Sequence, residues 1–222
     1  MEFVKIWLIT SITLLSFITS LILLIIGIPL AYYMAYSKSP LALIMEVITT
    51  LPLVLPPTVL GFYLLILFSK NGPLGALWER LLGYQLVFTF EGLVIASVIY
   101  SLPMMTHPLI SGYRSVPKSL IEASWTLGKS KLETLFRVIL PNMKASILVG
   151  FVLSFAHTLG EFGVVLMVGG NIEGKTRVAS IVIYNAVESI DYVTAHLYSL
   201  LLLSLSFLSL LALYMINRRW VL

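Results

Sequence analysis

The stretch Ile121–Pro141, IEASWTLGKSKLETLFRVILP, decides how this chain is organised. It lies between long apolar runs, yet it is rich in charged side chains, namely Glu122, Lys129, Lys131, Glu133 and Arg137. Charged side chains are costly at the centre of a bilayer. The stretch is therefore predicted to lie in water, on one side of a membrane, between two spanning segments.

The spacing inside this stretch is specific: Glu122-Ala123-Ser124 is followed by Gly128 and later by Leu140-Pro141. It resembles the EAA motif in the loop of ABC importer permeases that docks onto the ATPase subunit. Ser124 and Val138 depart from that pattern, and both preserve side-chain size. The resemblance implies a cytoplasmic coupling loop at 114–143. The residues it assigns to ATPase coupling are Ser119, Leu120, Glu122, Ala123, Ser124, Leu127, Gly128, Leu140 and Pro141.

The residues themselves predict the local structure of this loop. Ser119–Leu127 is expected to form a short amphipathic helix with Ser119 as its N-cap, and Gly128 is expected to end it with a positive φ. A second helix is expected over Lys129–Ile139, broken or kinked by Pro141. An ordinary cytoplasmic connector with a glycine C-cap is the alternative interpretation.

Composition independently indicates a membrane protein. The 222 residues are 59% hydrophobic and 11% charged, whereas soluble domains are roughly a quarter charged. The absence of cysteine excludes disulfide frameworks and thiolate metal sites. A net charge of +4 does not indicate nucleic acid, because most basic residues lie in loops or at the ends of apolar runs. The apolar run after Lys5 is longer than the apolar core of a signal peptide, so we expect a retained first helix.

Apolar runs predict an all-α integral membrane protein with about five core transmembrane helices in a single permease domain, 1–222. The predicted spans are 6–37, 41–69, 90–113, 145–168 and 195–217. A short interfacial helix is expected within 70–91. Val178–Val187 is too short to span and is expected to fold back into the membrane or lie on its surface, which would make a sixth helix.

Basic residues predict the orientation of these spans. Nine of the 14 Lys and Arg residues fall on the side of the coupling loop, which the positive-inside rule makes cytoplasmic. The N-terminus is then outside and the C-terminus inside. The nine are Lys38, Arg114, Lys118, Lys129, Lys131, Arg137, Lys144, Arg218 and Arg219, and those on the other side are Lys5, Lys70, Arg80, Lys175 and Arg177.

Other motifs concern the cargo. The elements Gly160-Glu161-Phe162-Gly163 and Gly170-Asn171-Ile172, the latter followed by Lys175-Thr176, resemble those of molybdate and sulfate permeases. The run LPLVLPPTVLGF at 51–62 is more similar to the molybdate branch. Tungstate permeases often have Ser-Glu-Val-Gly in place of the first element. The resemblance therefore implies molybdate, with tungstate also admitted; a sulfate- or tungstate-specific permease is the alternative.

This resemblance covers essentially Thr10 to Asn217 and implies a type I ABC importer permease fold. It also implies a homodimer, two ATP-binding cassette subunits, an extracytoplasmic oxyanion-binding protein and surrounding lipid, with no nucleic acid. No cofactor is expected on this chain, and ATP and magnesium are expected on the partner ATPase. The chain contains no GxxxxGK[ST], HExxH or GxSxG motif, so neither catalytic residues nor a metal site are expected. A passive anion channel or membrane scaffold would not require the coupling-loop spacing, and an intramembrane enzyme lacks a nucleophile, dyad or metal cluster.

The pathway candidates are the helix-breaking and polar residues of the second and fourth spans. Proline breaks in the second span predict a hinge or gate, with a static kink as the alternative. His157 and Glu161 are four residues apart and are expected to share a helical face, either holding a gate or forming a charge-paired structural contact. His107 is expected to be an interface residue. The pathway candidates are Pro52, Pro56, Pro57, Thr58, His157, Gly160, Glu161, Phe162 and Gly163.

Overall fold

The computed structural model describes residues 6–221, with side chains over 7–217. Regular secondary structure in that range is entirely helical. The helices are α1 (Ile6–Tyr36), α2 (Pro40–Val54), α3 (Pro57–Phe68), α4 (Pro73–Leu82), α5 (Phe90–Ser115), α6 (Lys118–Thr126), α7 (Lys131–Thr134), α8 (Leu140–Asn142), α9 (Lys144–Leu159), α10 (Gly163–Gly169), α11 (Ala179–Glu188) and α12 (Tyr192–Val221), with a π-helical turn at Leu135–Ile139.

Three of these helices are long and apolar enough to cross a membrane without a break. α1, α5 and α12 contain 31, 26 and 30 residues. At about 1.5 Å per residue, each is longer than the roughly 30 Å of a hydrocarbon core. The predicted first, third and fifth spans are therefore confirmed as continuous helices.

The second span is broken at its prolines. The chain bends by 116° between α2 and α3. Leu55 and Pro56, which lie between the two helices, have ψ values of 137° and 136°. A residue that precedes proline is disfavoured in the α region, and here two prolines follow one another. Pro57 then begins α3. The N–H groups of the first helical turn have no partner within the helix, so proline's lack of an N–H costs no helical hydrogen bond there. The break therefore lies at Leu55-Pro56, whereas Pro52 stays inside α2.

The predicted fourth span is also interrupted. α9 ends at Leu159 and α10 begins at Gly163, so the helix does not run unbroken to Val168 as expected. Gly160 and Gly163 flank the interruption, and glycine is among the weakest helix formers. A second bend, of 74°, separates the segment Lys131–Asn142 from α9.

α5 is the central helix of the bundle. It packs against α1 and α9. Of the residues in its most apolar 18-residue stretch, 56% are buried inside the protein, whereas the corresponding share for α12 is 6%. Its Leu93, Met105 and Ala96 each belong to a different one of the three buried apolar clusters. α12 directs most of its apolar surface outward, as expected of a helix that faces lipid or a partner.

The predicted extracytoplasmic segments contain short helices. α4 is the helix expected within 70–91, and its Trp78 ring makes an edge contact with Tyr84 at a centroid distance of 6.1 Å. α11 corresponds to the short apolar stretch and packs beside α12. Its Ile181 joins the cluster that contains Leu8 and Ile12 of α1. The stretch therefore folds back against the bundle.

α1 and α5 run in the same direction through the bundle. The Tyr36 hydroxyl at the end of α1 donates to the carbonyl oxygen of Tyr113 near the end of α5, at 2.9 Å. Near the starts of the two helices, Leu8 and Leu93 lie in one cluster. Parallel first and third spans fit the alternation that five spans require.

The orientation prediction depends on basic residues at the ends of the spans. On the coupling-loop side, Arg114 of α5 pairs with Glu46 of α2 at 3.3 Å. Away from it, Lys70 pairs with Glu79 of α4 at 3.3 Å. Lys5 and the side chains of Arg218 and Arg219 lie outside the part of the chain that the structure describes.

Candidate functional site

The helix predicted at Ser119–Leu127 is present as α6, but it begins earlier than expected. Pro117 occupies the N-cap position without a side-chain cap bond, and Lys118 is the first helical residue. Ser119 is therefore not the N-cap. Val116 is extended, with ψ at 123°, because it precedes a proline. Pro117 has a ψ of 130°, so the helix begins at the residue after it.

α6 has an inner and an outer face. Ile121 and Ser124 are buried, whereas Leu120, Trp125 and Leu127 are exposed, Leu127 by 79%. Glu122 and Ala123 are exposed as well. Large apolar side chains grouped on an exposed helix are typical of a protein interaction surface. The exposed candidates for coupling to a partner therefore lie on the outer face.

Ser124 is the exception among the candidate coupling residues of α6, because it faces inward. Its hydroxyl lies 2.9 Å from the hydroxyl of Thr134, which is also buried. Thr134 in turn donates to the carbonyl oxygen of Ser130 at 2.9 Å. Ser124 thus joins α6 to the start of the next helix.

Gly128 ends α6 as predicted. Its φ is +76°, and its N–H donates to the Trp125 carbonyl oxygen at 2.9 Å, while the Lys129 N–H donates to the Ser124 carbonyl oxygen at 3.1 Å. These bonds use carbonyl groups that the end of a helix leaves without partners. The left-handed conformation favours glycine at this position.

The second helix of the loop begins at Lys131 rather than Lys129. Ser130 is its N-cap in a capping box: its hydroxyl accepts from the Glu133 N–H at 3.2 Å, and Glu133 accepts from the Ser130 N–H at 3.3 Å. The bond that the Glu133 carboxylate accepts from the Ser130 N–H and the nearby Lys129 ammonium lower the pKa of Glu133. The S-x-x-E spacing of Ser130 and Glu133 is a sequence signal for this start that the prediction overlooked.

A π-helical turn at Leu135–Ile139 precedes Pro141, which lies in the first turn of α8. A proline in a regular helix lacks a donor and clashes with the carbonyl group four residues earlier, and a widened turn accommodates both effects. The chain then bends at Met143 into α9. The predicted break near Pro141 is confirmed; Leu140 is half-buried and Pro141 is exposed.

The breaks in the second and fourth spans pack against each other. A Cβ atom placed on Gly163 would lie 2.9 Å from Pro57 Cβ and 3.3 Å from the Thr58 nitrogen. The structure therefore brings Pro57, Thr58 and Gly163 together. Gly160 is exposed nearby in the chain, and the Phe162 ring packs on Tyr184 with 4.9 Å between centroids.

His157 and Glu161 do not share a helical face, because α9 ends at Leu159. His157 Nδ1 lies 2.9 Å from the Ser101 hydroxyl of α5, and its ring packs on Tyr100 at 4.6 Å. Glu161 is only 2% exposed, and neither of its carboxyl oxygens has a hydrogen-bond partner. Within residues 7–217, Glu161 therefore forms no ion pair, and the expected charge-paired contact at an interface between copies stays a prediction. The Ser101 link was missed because it joins two spans that are far apart in sequence.

Comparison with known proteins identifies relatives over most of the chain. Residues 27–221 match the family described as "Binding-protein-dependent transport system inner membrane component". The molybdenum transport system permease protein ModB of Azotobacter vinelandii is 43% identical over 204 residues, which are 92% of this chain and 90% of that protein. The probable transport system permease protein NifC of Clostridium pasteurianum is 37% identical over 89% of this chain and 70% of that protein.

A sulfate permease and a solved structure complete the comparison. The sulfate transport system permease protein CysT of Escherichia coli is 30% identical over 95% of this chain and 76% of that protein. A chain of the MetNI methionine ABC transporter, in an inward-facing conformation, superposes with a TM-score of 0.72 at 15% identity, over 99% of both chains. This last likeness shows a shared fold.

Proposed function

Because the chain belongs to the family of inner membrane components of binding-protein-dependent transport systems, we propose that it is the permease subunit of an ATP-driven importer of molybdate. The observation that carries the proposal is its 43% identity with a molybdenum permease over 92% of the chain. The exposed apolar face of α6 supports it, because a permease without its own ATP site needs a surface on which a motor subunit can act.

Sulfate and tungstate are the alternative cargoes. The sulfate permease of Escherichia coli is less similar, at 30% identity. The Gly160–Gly163 element supports molybdate over a tungstate-specific transporter. Molybdate and tungstate are tetrahedral dianions of closely similar size, so we expect tungstate to be carried as well.

The working assembly in this proposal contains two copies of the chain, with the pathway on their two-fold axis. Each copy docks one ATP-binding cassette subunit through the exposed face of α6, and ATP with its magnesium ion binds there rather than on this chain. This chain is therefore a non-catalytic subunit. A binding protein delivers the anion on the other side of the membrane, where α4 and α11 lie, and surrounding lipid covers the outer helices.

The inner face of α6 supports a route for mechanical coupling. Ile121 shares a buried cluster with Met34 of α1, Tyr113 of α5 and Met143 at the start of α9. Ser124 holds Thr134 in the following helix. A displacement of α6 is therefore transmitted to the cytoplasmic ends of three spans, and ATP-driven closure of the motor subunits exposes the pathway to alternate sides.

Uptake into proteoliposomes tests the proposal. The permease is reconstituted with its cognate ATPase and binding protein, and ATP-dependent uptake of molybdate, tungstate and sulfate is measured separately. We expect uptake of molybdate and tungstate, abolished by Gly128→Pro or Glu122→Arg. Uptake of sulfate alone would change the assigned cargo to sulfate and would leave the assignment as an ATP-driven importer standing. Uptake that survives both substitutions would contradict coupling through this loop.

A further inference from the structure

A cavity of about 550 Å³ opens between α2, α5, α9 and α12, apart from the coupling loop and the helix breaks. α1 contributes none of the residues that line it. Its walls come from the second half of α5 and the first half of α9, which adjoin the coupling loop. The cavity therefore lies in the half of the membrane nearer that loop.

Close packing of α5 and α9 fixes the position of the polar wall of this cavity. A Cβ atom on Gly112 would lie 2.7 Å from the Ser146 Cβ, so the two backbones meet with almost no space between them. Ser111, the neighbour of Gly112, and Ser146 itself both line the cavity. Two hydroxyl groups from different spans thus face the same space.

Four polar side chains line the cavity. The hydroxyls of Ser111 and Ser146 have no hydrogen-bond partner among residues 7–217. The Thr50 hydroxyl donates to the Glu46 carbonyl oxygen at 2.7 Å, so His107 donates from Nε2 to that hydroxyl at 2.9 Å, and Nδ1 of the neutral ring is an acceptor. The side-chain oxygen of Asn217 is buried without a partner, and the NH2 of this side chain is its donor group. These groups are the ones that a polar solute in the cavity can use.

The chemistry of this lining suits an oxyanion. The serine hydroxyls and the asparagine amide nitrogen can donate hydrogen bonds, and among residues 7–217 none that lines the cavity carries a carboxylate. A dianion is thus met by donors without a fixed negative charge. Among residues 7–217, no lysine or arginine lines the cavity either, so the described lining offers neutral donors to the anion.

We propose that this cavity is a station on the cytoplasmic part of the translocation pathway, where Ser111, Ser146 and Asn217 donate hydrogen bonds to the tetrahedral oxyanion. The inference rests on the proposed function and deepens it. It assigns the anion contacts to the faces of α5, α9 and α12 that enclose the cavity, rather than to the proline break of the second span.

Charge placement is the first test. Asn217→Asp keeps the side-chain shape and adds a negative charge, and we expect molybdate uptake by the complete transporter to fall about tenfold or more, because a carboxylate repels the dianion. Asn217→Leu removes the donor without adding charge and is expected to reduce uptake about threefold. The matched control is Asn71→Asp in the exposed turn before α4, which is expected to transport like the wild type.

Cysteine accessibility is the second test and does not depend on uptake. The chain has no cysteine, so Ser146→Cys and Ser111→Cys each introduce a single thiol of nearly the original size. In the complex with cysteine-free partners, we expect a negatively charged, water-soluble methanethiosulfonate to modify both, and molybdate to slow the reaction. Ser16→Cys, on a fully buried position of α1, is expected to remain unmodified.

The outcomes separate this inference from the proposed function. Wild-type uptake with unchanged uptake by Asn217→Asp, or thiols at both serines that react no faster than at Ser16, would overturn the inference alone. Absence of any oxyanion uptake by the wild type would overturn the proposed function and the inference with it. If sulfate is the anion that is taken up, the same variants are measured with sulfate. Reduced sulfate uptake by Asn217→Asp, together with protection of the two thiols by sulfate, would still support an anion site in this cavity.

Discussion

At the scale of single residues, Gly128 determines how the coupling loop turns. Its φ of +76° lies in the left-handed region, and a Cβ atom there would meet nothing within 4 Å. Any substitution is therefore opposed by backbone conformation alone, without a steric clash. The effect of a mutation can thus be predicted from φ preferences.

We predict that Gly128→Ala lowers the free energy of unfolding of the permease by about 1 kcal/mol. Gly128→Asn should cost less, because asparagine enters the left-handed region more readily. Equilibrium unfolding of the purified permease in lipid nanodiscs would measure both. Equal losses for the two variants would show that something other than φ is responsible.

Two neighbouring glycines of the fourth span provide a matched comparison. Gly163→Ala places a methyl group 2.9 Å from Pro57, whereas the nearest atom to a Cβ on Gly160 is 3.8 Å away. We predict that Gly163→Ala destabilises the protein by about 1–3 kcal/mol, as overpacking does, and lowers transport, whereas Gly160→Ala changes neither appreciably. Thermal unfolding and uptake would be compared for both variants. A Gly160→Ala defect as large as that of Gly163→Ala would contradict the contact between the two breaks.

At the scale of elements, α6 has an exposed face, to which we assign docking, and a buried face that packs against the rest of the protein. Trp125 is exposed and Ser124 is buried, although they are adjacent in sequence. Helical geometry places consecutive residues about 100° apart, so neighbours can serve different surfaces. The two positions can therefore be mutated to test each face separately.

We predict that Trp125→Ala leaves the stability of the isolated permease nearly unchanged but weakens its binding to the ATPase by about 2 kcal/mol, the effect of an aromatic hot spot. Ser124→Ala should do the reverse: it leaves Thr134 without its buried partner and costs about 1 kcal/mol of folding free energy. Binding of the two subunits in detergent and thermal unfolding of the permease would distinguish them. Similar profiles for the two variants would contradict the two-faced interpretation of α6.

At the scale of the whole molecule, the five predicted spans, if each bent helix pair crosses once, would place the two loop systems on opposite sides of the membrane. Asn71 lies between α3 and α4, and Asn142 is exposed at the end of the coupling loop. In a chain without native cysteine, a single thiol at either position reports its side directly. These positions therefore test the orientation.

We predict that a membrane-impermeant maleimide modifies Asn71→Cys in intact cells, whereas Asn142→Cys reacts only after the membrane is permeabilised. The physical basis is the excess of Lys and Arg around the coupling loop. Labelled permease would be detected after purification from cells. Labelling of Asn142→Cys in intact cells would contradict the orientation and, with it, docking of a cytoplasmic motor on α6.

Sequence by itself determined the features that depend on local composition and backbone preference. The spans follow from apolar length, the coupling loop from its charges, and the left-handed turn from Gly128. The start of the second loop helix is also determined by local sequence, through the capping box of Ser130 and Glu133, although the prediction placed this start two residues too early.

Only the tertiary structure decided which surfaces meet. It placed Ser124 on Thr134, joined His157 to Ser101 instead of Glu161, and set Gly163 against Pro57. It also enclosed Ser111, Ser146 and Asn217 around one cavity. Each of these contacts joins different helices or depends on where a helix ends. Hydrophobic periodicity predicts which face of a helix is buried, but it does not predict which other helix packs against that face. The cavity therefore results from packing between helices, whereas the apolar helices themselves are determined by their own residues.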